Sequence, residues 1–281
     1  MNKKKKIKKK YIVRRWIFMM VVVAATIFLL SLFINDFKGT SNKTADQGFN
    51  KWIVTNKEKI YEAKEKQIKI EEEKKQQAEK MPAGEKKRVF LTFDDGPNDS
   101  ITPKVLDILD KYGVKATFFV VGKKVEQYPG VLKTIHEKGH SIGNHTFTHD
   151  YDKIYKGVDA FMEDFSRAEK TIKNTLGEDF HSDLVRFPGG SFEEKKQPIA
   201  AHLNSLGYHY FDWNAINGDG ESSKYTADFM VNKFIETAKG KQTITALFHD
   251  SEPKQNSVDS LPAIIEWLQS EGYEFLTLDQ R

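Results

Sequence analysis

From Lys87 onward the sequence alternates between two textures, and that alternation limits the folds open to it. Seven runs rich in aromatic and β-branched residues, RVFLTF, ATFFVV, HSIGNH, LVRFPG, YHYFDW, TITALFH and YEFLTL, have the composition of strands. Between them lie six segments with helical apolar spacing, 103–112, 125–137, 158–176, 199–206, 226–237 and 261–270. Strands separated by helices predict a parallel sheet, because each crossover returns the chain to the same end of the next strand. A closed or partly closed barrel and an open doubly wound sheet both satisfy that rule. The residues capable of chemistry fall at the C-terminal ends of five different strands, which is where a (β/α) barrel gathers its site. No internal repeat is visible.

The residues before this region are of another kind. Residues 16–34 read WIFMMVVVAATIFLLSLFI, 19 residues without a charge, which at about 1.5 Å per residue nearly span a bilayer core of about 30 Å. Residues 1–15 hold seven lysines, two arginines and no acid, so the positive-inside rule predicts a cytoplasmic N-terminus and an extracellular remainder. A cleaved signal peptide competes with this reading, but its apolar region is usually about 7–15 residues ending in a small-residue cleavage site. Here the run is longer and continues into NDFKGT. Residues 35–87 form a polar linker whose second half, KEKIYEAKEKQIKIEEEKKQQAEK, predicts a solvated helical stalk, since Ile60, Ile68 and Ile70 are too few for a coiled-coil seam. The predicted order is a cytoplasmic basic segment (1–15), a single transmembrane anchor (16–34), an extracellular stalk (35–87) and a catalytic domain (88–281).

Charge and cysteine content narrow the function. The chain has 44 basic and 40 acidic residues, and nine of the basic ones lie in residues 1–15, so the remainder carries 35 against 40, a net of −5. Nucleic acid is a poor partner for such a domain, because phosphate binding needs a basic stripe on the folded surface. With no cysteine, disulfides, thiolate metal sites and a cysteine nucleophile are excluded, and any metal must be held by His, Asp or Glu. No protein partner is inferred.

Five short segments carry the chemistry. Leu91-Thr92-Phe93-Asp94-Asp95-Gly96 ends a strand in two carboxylates and a turn, although Asp-Asp-Gly alone usually marks only a turn. His145-Thr146-Phe147-Thr148-His149 places histidines at i and i+4, on one face of a helical turn and within reach of one ion. Two histidines with one carboxylate form a facial triad with open positions, a catalytic rather than a structural arrangement. Arg186-Phe187-Pro188-Gly189-Gly190, Phe211-Asp212-Trp213 and Leu247-Phe248-His249-Asp250 end three further strands. Taken singly, each has a bland reading as an ion pair, a core filler or a satisfied terminus. Five such endings in one chain do not.

In this order, TFDDG, HTFTH, RFPGG, DW and LFHD resemble the motifs of the polysaccharide deacetylases of carbohydrate esterase family 4, over about residues 86–281. The resemblance implies an α/β fold, a distorted (β/α)7 barrel, in agreement with the strand count. It implies that Asp95, His145 and His149 bind one divalent metal ion, with Zn2+ the best suited as a redox-inert Lewis acid, and that Asp94 is the general base. Adjacent aspartates can divide this work if successive residues of an extended segment point apart. His249 is then the general acid for the departing amine, Asp212 orients that histidine, and Arg186 pairs with Asp94. Trp213 and Leu247 wall the acetyl pocket, and the Gly189 N–H assists the oxyanion. Some family members carry an aromatic residue where Gly189 stands, so the fit around the acetyl group is open on that side. His136, His140, His181, His202 and His209 match no motif and read as surface or structural.

A non-haem iron oxygenase would also use two histidines and a carboxylate, but leaves Asp94, Arg186 and His249 unexplained. A wall-binding module that has lost catalysis would be expected to lack the base or the acid, and both are present. The resulting expectation is an enzyme on the outer face of the cell membrane that deacetylates a cell-wall polysaccharide. N-Acetylglucosamine of peptidoglycan is favoured over poly-N-acetylglucosamine exopolysaccharide because the anchor holds the domain near new wall.

Overall fold

The first strand, β1 (Arg88–Asp94), is buried from its second residue onward, and strict alternation sorts its side chains onto two faces. Val89, Leu91 and Phe93 enter the larger apolar core, while Phe90 packs in a separate cluster with Phe119, Leu184 and Leu278. Asp94 ends the strand on the Phe90 face. The computed structural model describes residues 86–281. The predicted basic segment, transmembrane helix and stalk lie outside the described residues, and no helix among those described is long and apolar enough to cross a membrane.

The order continues as α1 (Thr102–Tyr112), β2 (Thr117–Val120), α2 (Gly122–Gln127), α3 (Pro129–Glu137), β3 (Ser141–Asn144), α4 (Tyr151–Ile154), α5 (Val158–Leu176) and β4 (Leu184–Val185). Then follow α6 (Gln197–Ser205), β5 (His209–Tyr210), β6 (Ala215–Ile216), α7 (Ala227–Ala238), β7 (Thr243–His249), α8 (Gln255–Ser270) and β8 (Glu274–Leu276). Every strand pairing is parallel, in the order β5-β4-β3-β2-β1-β7-β6. β7 runs along one edge of β1 from Arg88 to Asp94, while β2 pairs with Thr92–Asp94 and β8 with Arg88–Phe90. The sheet curls without a β5–β6 pairing, so it is an open half-barrel of the (β/α)7 kind rather than a closed cylinder.

The helices lie against the outer face and supply most of the core. Val105, Leu106 and Leu109 of α1, Leu132 and Ile135 of α3, Phe234 of α7 and Val258, Leu261, Ile264, Ile265 and Leu268 of α8 are buried with Phe93, Phe118 and Phe248. At about 1.5–3 kcal/mol for each fully buried large side chain, this layer is the principal stabilising term.

Three elements depart from expectation. The predicted helix 125–137 is two helices broken at Tyr128, because Pro129 starts a new first turn, where its missing N–H and fixed φ are tolerated. α8 starts at Gln255 instead of near Leu261 and runs through Pro262, carried by its apolar face despite the missing donor. β6 has only two residues, too few for a periodic signal, and exists through its pairing with Ala246 and Leu247.

Candidate active site

The C-terminal ends of β1, β3, β4 and β7 and the segments that follow them converge on a cluster of acids and histidines. Register brings the first two members together, since Asp94 and His249 are Cα partners on adjacent strands. Asp94 is 3% exposed and Arg186 fully buried. The Arg186 guanidinium donates to Asp94 Oδ1 at 2.9 Å and to the Phe211 carbonyl at 2.9 Å, also bonds Thr92 Oγ1, and stacks 4.3 Å from the Phe119 ring centroid. A buried pair held this way is costly to break, about 3–5 kcal/mol when one partner is removed.

Asp95 departs from the extended conformation of the strand, with φ of 75°. The division between the two aspartates thus comes from a left-handed turn after Asp94, not from strand alternation. The turn carries Asp95 toward His149 Nε2, 3.2 Å from Asp95 Oδ1, and His145 Nε2, 3.5 Å from the same oxygen. The histidine loop is not helical either. Thr146 and His149 have φ of 66° and 54°, and these two left-handed residues, rather than i,i+4 spacing on a helix, bring the rings to a centroid separation of 5.0 Å.

The loop is fastened from outside the motif. The Asp164 carboxylate of α5 accepts from the backbone N–H groups of Phe147 at 2.6 Å and Thr148 at 2.9 Å. Asn144 accepts from Thr146 N–H and donates to the Phe165 carbonyl. His145 Nδ1 lies 2.8 Å from the Arg186 carbonyl, which can only accept, so Nδ1 carries a proton and Nε2 is the atom turned toward Asp95.

One donor atom each from Asp95, His145 and His149 lie within 4.8 Å of one another. Two ligands about 2.0–2.2 Å from a tetrahedral ion stand about 3.3–3.6 Å apart, close to the observed separations. The electrostatics suit a cation. Burial opposes charge on Asp95, but the hydrogen bond from His145 and the charges of His145, His249 and His149 hold its carboxyl far below the usual range. Burial and the neighbouring His145 push His149 down, toward the neutral ligand form. Burial drives His145 down, but Asp94 and Asp95 drive it up further, so its Nε2 favours a positive charge beside them, and a bound cation would take the place of that proton. The donor set therefore fits one divalent ion.

His249 has a different partner from the expected Asp212. Its Nδ1 lies 2.7 Å from Asp219 Oδ1, and its backbone N–H donates to Asp219 Oδ2 at 2.9 Å. Ser257 Oγ donates to the same Oδ2 at 2.6 Å. Burial opposes protonation of His249, but the Asp219 bond and charge, with Asp94 and Asp95 beyond, push it up to about 9. Asp212 instead accepts from Ser191, from its N–H at 2.9 Å and from its hydroxyl, so it secures the loop after Gly190. The assignment of Asp212 to His249 is thereby corrected. Asp219 lies in Asn217-Gly218-Asp219-Gly220, a string that reads as a turn, and its visible signal was an acid between two glycines just ahead of α7.

Gly189 and Gly190 follow in the left-handed region, with φ of 72° and 76°, and Lys196 and Tyr155 fix their loop. Lys196, fully buried, donates to the carbonyls of Gly190 at 2.7 Å and Pro188 at 3.2 Å, and Tyr155 donates to Pro188 at 2.7 Å. Leu247 is buried one residue from Phe248, and Trp213 is half-buried 5.8 Å from the Arg186 guanidinium. Of the unmatched histidines, His140 is a core residue whose Nδ1 accepts from Ala116 N–H.

Comparison with known proteins agrees with this geometry. The polysaccharide deacetylase family model matches residues 81–211. A peptidoglycan-N-acetylglucosamine deacetylase of Bacillus cereus is 31% identical over 69% of its own length and 68% of this chain. One from Listeria monocytogenes is 33% identical over 69% of this chain and 38% of its own. A CE4 esterase structure from Streptococcus mutans superposes with a TM-score of 0.65 at 32% identity, covering 68% of this chain and 86% of that one. With its motifs, its curled parallel sheet and its Asp-His-His cluster, the chain belongs to the polysaccharide deacetylase family, carbohydrate esterase family 4.

Proposed function

We propose that this chain is a zinc-dependent enzyme, anchored in the cell membrane, that removes the N-acetyl group from N-acetylglucosamine of peptidoglycan. The observation that carries the reading is the placement of Asp94, held by buried Arg186, between the Asp95-His145-His149 cluster and His249.

Asp95, His145 and His149 would hold the ion, which when bound polarises the amide carbonyl and lowers the pKa of a coordinated water toward about 7. Asp94 receives the proton of the attacking water, with Arg186 keeping the carboxylate aimed. The Gly189 N–H donates to the oxygen on which negative charge develops. His249, kept protonated by Asp219, delivers a proton to the departing nitrogen, because an amine leaves poorly as its anion. Trp213 and Leu247 close around the acetyl methyl. Asp212 holds the Gly190–Ser191 turn that sets the Gly189 amide.

Peptidoglycan is favoured by the names of the relatives from Bacillus cereus and Listeria monocytogenes. It is favoured also by the uncharged run at 16–34 with its basic flank, which would fix the enzyme outside the membrane beneath new wall. Mass spectrometry of muropeptides from cells with and without the gene tests the reading. Deletion should raise the acetylated fraction of wall glucosamine and ease digestion by muramidase, and an Asp94→Asn copy should restore neither. Unchanged wall acetylation with altered exopolysaccharide would transfer the assignment to poly-N-acetylglucosamine, and full restoration by Asp94→Asn would make the domain a binding module.

A further inference from the structure

Gly189 and Gly190 each lie beneath an aromatic ring, Tyr151 of α4 over the first and Phe192, two residues further along the same loop, over the second. A Cβ on Gly189 would stand 2.9 Å from both Cε1 and the hydroxyl of Tyr151, and one on Gly190 would collide with the Phe192 ring and approach Asp212 Oδ1 to 3.2 Å. Both rings are unusually open for residues beside a buried site, Tyr151 at 46% exposure and Phe192 at 66%. Neither is adrift. Tyr151 stands edge-on to His149 with centroids 5.4 Å apart and against Tyr155 at 5.8 Å, and Phe192 stands edge-on to Trp213 at 5.5 Å. One ring thus borders the metal-binding cluster and the other borders the Asp212–Trp213 side. The Tyr151 hydroxyl has no hydrogen-bond partner among the described residues, so it is available as a donor.

From this arrangement we infer that Tyr151 and Phe192 are the two walls of a glycan cleft whose floor is Gly189–Gly190, and that they grip the sugar rings flanking the one whose acetamide reaches Asp94. The inference rests on the deacetylase reading for the identity of the ligand. A pyranose offers a face of C–H groups bordered by hydroxyls, and an aromatic ring with a polar tip matches that pattern. The glycine pair is needed because any side chain there would occupy the volume of the rings. Tyr151 therefore supplies, from α4, an aromatic wall over a position that has no side chain of its own. It follows that the cleft selects an oligomer over a single sugar.

Calorimetric titration of the metal-loaded protein with the N-acetylglucosamine tetramer and dimer tests this, in an Asp94→Asn background so that ligand is not consumed. Tyr151→Ala and Phe192→Ala should each weaken tetramer binding roughly 3- to 10-fold, the scale of one aromatic contact, with metal content and melting temperature unchanged. Dimer binding should fall less, and Tyr151→Phe should lose only the hydroxyl's share. Gly189→Ala should weaken binding when Tyr151 is present and less when it is Ala, since backbone strain at position 189 is common to both backgrounds and cancels in the cycle. Tetramer binding unchanged in both ring variants, or no binding by the parent protein, would overturn the inference. Acetate release by the native enzyme is followed in parallel. A native enzyme that binds the tetramer without hydrolysing it would end the deacetylase reading and leave the cleft standing.

Discussion

Asp219 Oδ1 lies 2.7 Å from His249 Nδ1, and this bond sets both the orientation and the proton affinity of the histidine. With His249 pushed up to about 9, the acid form dominates below that pH and is lost above it. Deacetylation should therefore decline as pH rises through about 9. In Asp219→Asn the principal raising partner is gone while burial, which lowers the value, remains, so the alkaline limb should move to lower pH. Asp212→Asn should reduce turnover without moving the limb. A pH profile of kcat for the two variants checks the assignment, and a shifted limb in Asp212→Asn instead would reverse it.

The same pair links pH to stability. A group whose folded value is raised stabilises the fold fully below its unfolded value of about 6.5 and loses that contribution as pH climbs through about 9. The melting temperature of the native protein should fall across that window more than that of Asp219→Asn, measured by calorimetry at matched ionic strength.

The two neighbouring aspartates should separate cleanly. Asp95→Asn is expected to lose metal and activity together, because it removes the anionic member of the ligand cluster. Asp94→Asn should keep near-native metal while activity falls by about 10²-fold or more. Metal analysis of both purified variants decides it, and equal metal loss would refute the division.

Asp164 touches no member of the ligand cluster yet holds the loop between two of them. Asp164→Ala leaves two amide N–H groups without their acceptor, so metal affinity should drop about 10- to 100-fold, the usual scale for a lost supporting group. Competition with a chromogenic chelator measures it. Asp164→Asn, which keeps one oxygen, should recover most of the loss.

Gly220 bears on His249 by shape alone, since a Cβ there would sit 2.9 Å from His249 Cε1. The ring cannot yield without leaving Asp219. Gly220→Ala should cut kcat by about 10²-fold, as displacement of a catalytic group by about an ångström does, with metal retained. Turnover and metal content measured on one preparation check both halves.

Much of this site is legible in the sequence. Asp94 and His249 end seven-residue strands, with Asp95 next in line, while His145, His149 and Arg186 stand in motifs that directly follow apolar runs, and strand register brings such endings together. The parts that are not legible depend on contacts remote in sequence. Asp219 follows a two-residue strand that exists only by pairing with β7, and Asp164 lies on a helix where an acid is ordinary. The i,i+4 histidines read as a helical turn, whereas two left-handed residues, Thr146 and His149, bring the rings together without one. Pro262 misplaced the start of α8, since tertiary burial of its apolar face outweighs the propensity against proline.

Arg186 performs two tasks with two different parts of itself. Its carbonyl fixes the ring of His145 and its guanidinium fixes Asp94. Only the second is open to mutation, because every residue at that position presents the same carbonyl. A lineage that exchanged this arginine would forfeit the base and keep the metal ligand in place. Loss of catalysis along that route would leave behind a protein still able to take up an ion, and metal content alone would not reveal that it had retired from chemistry.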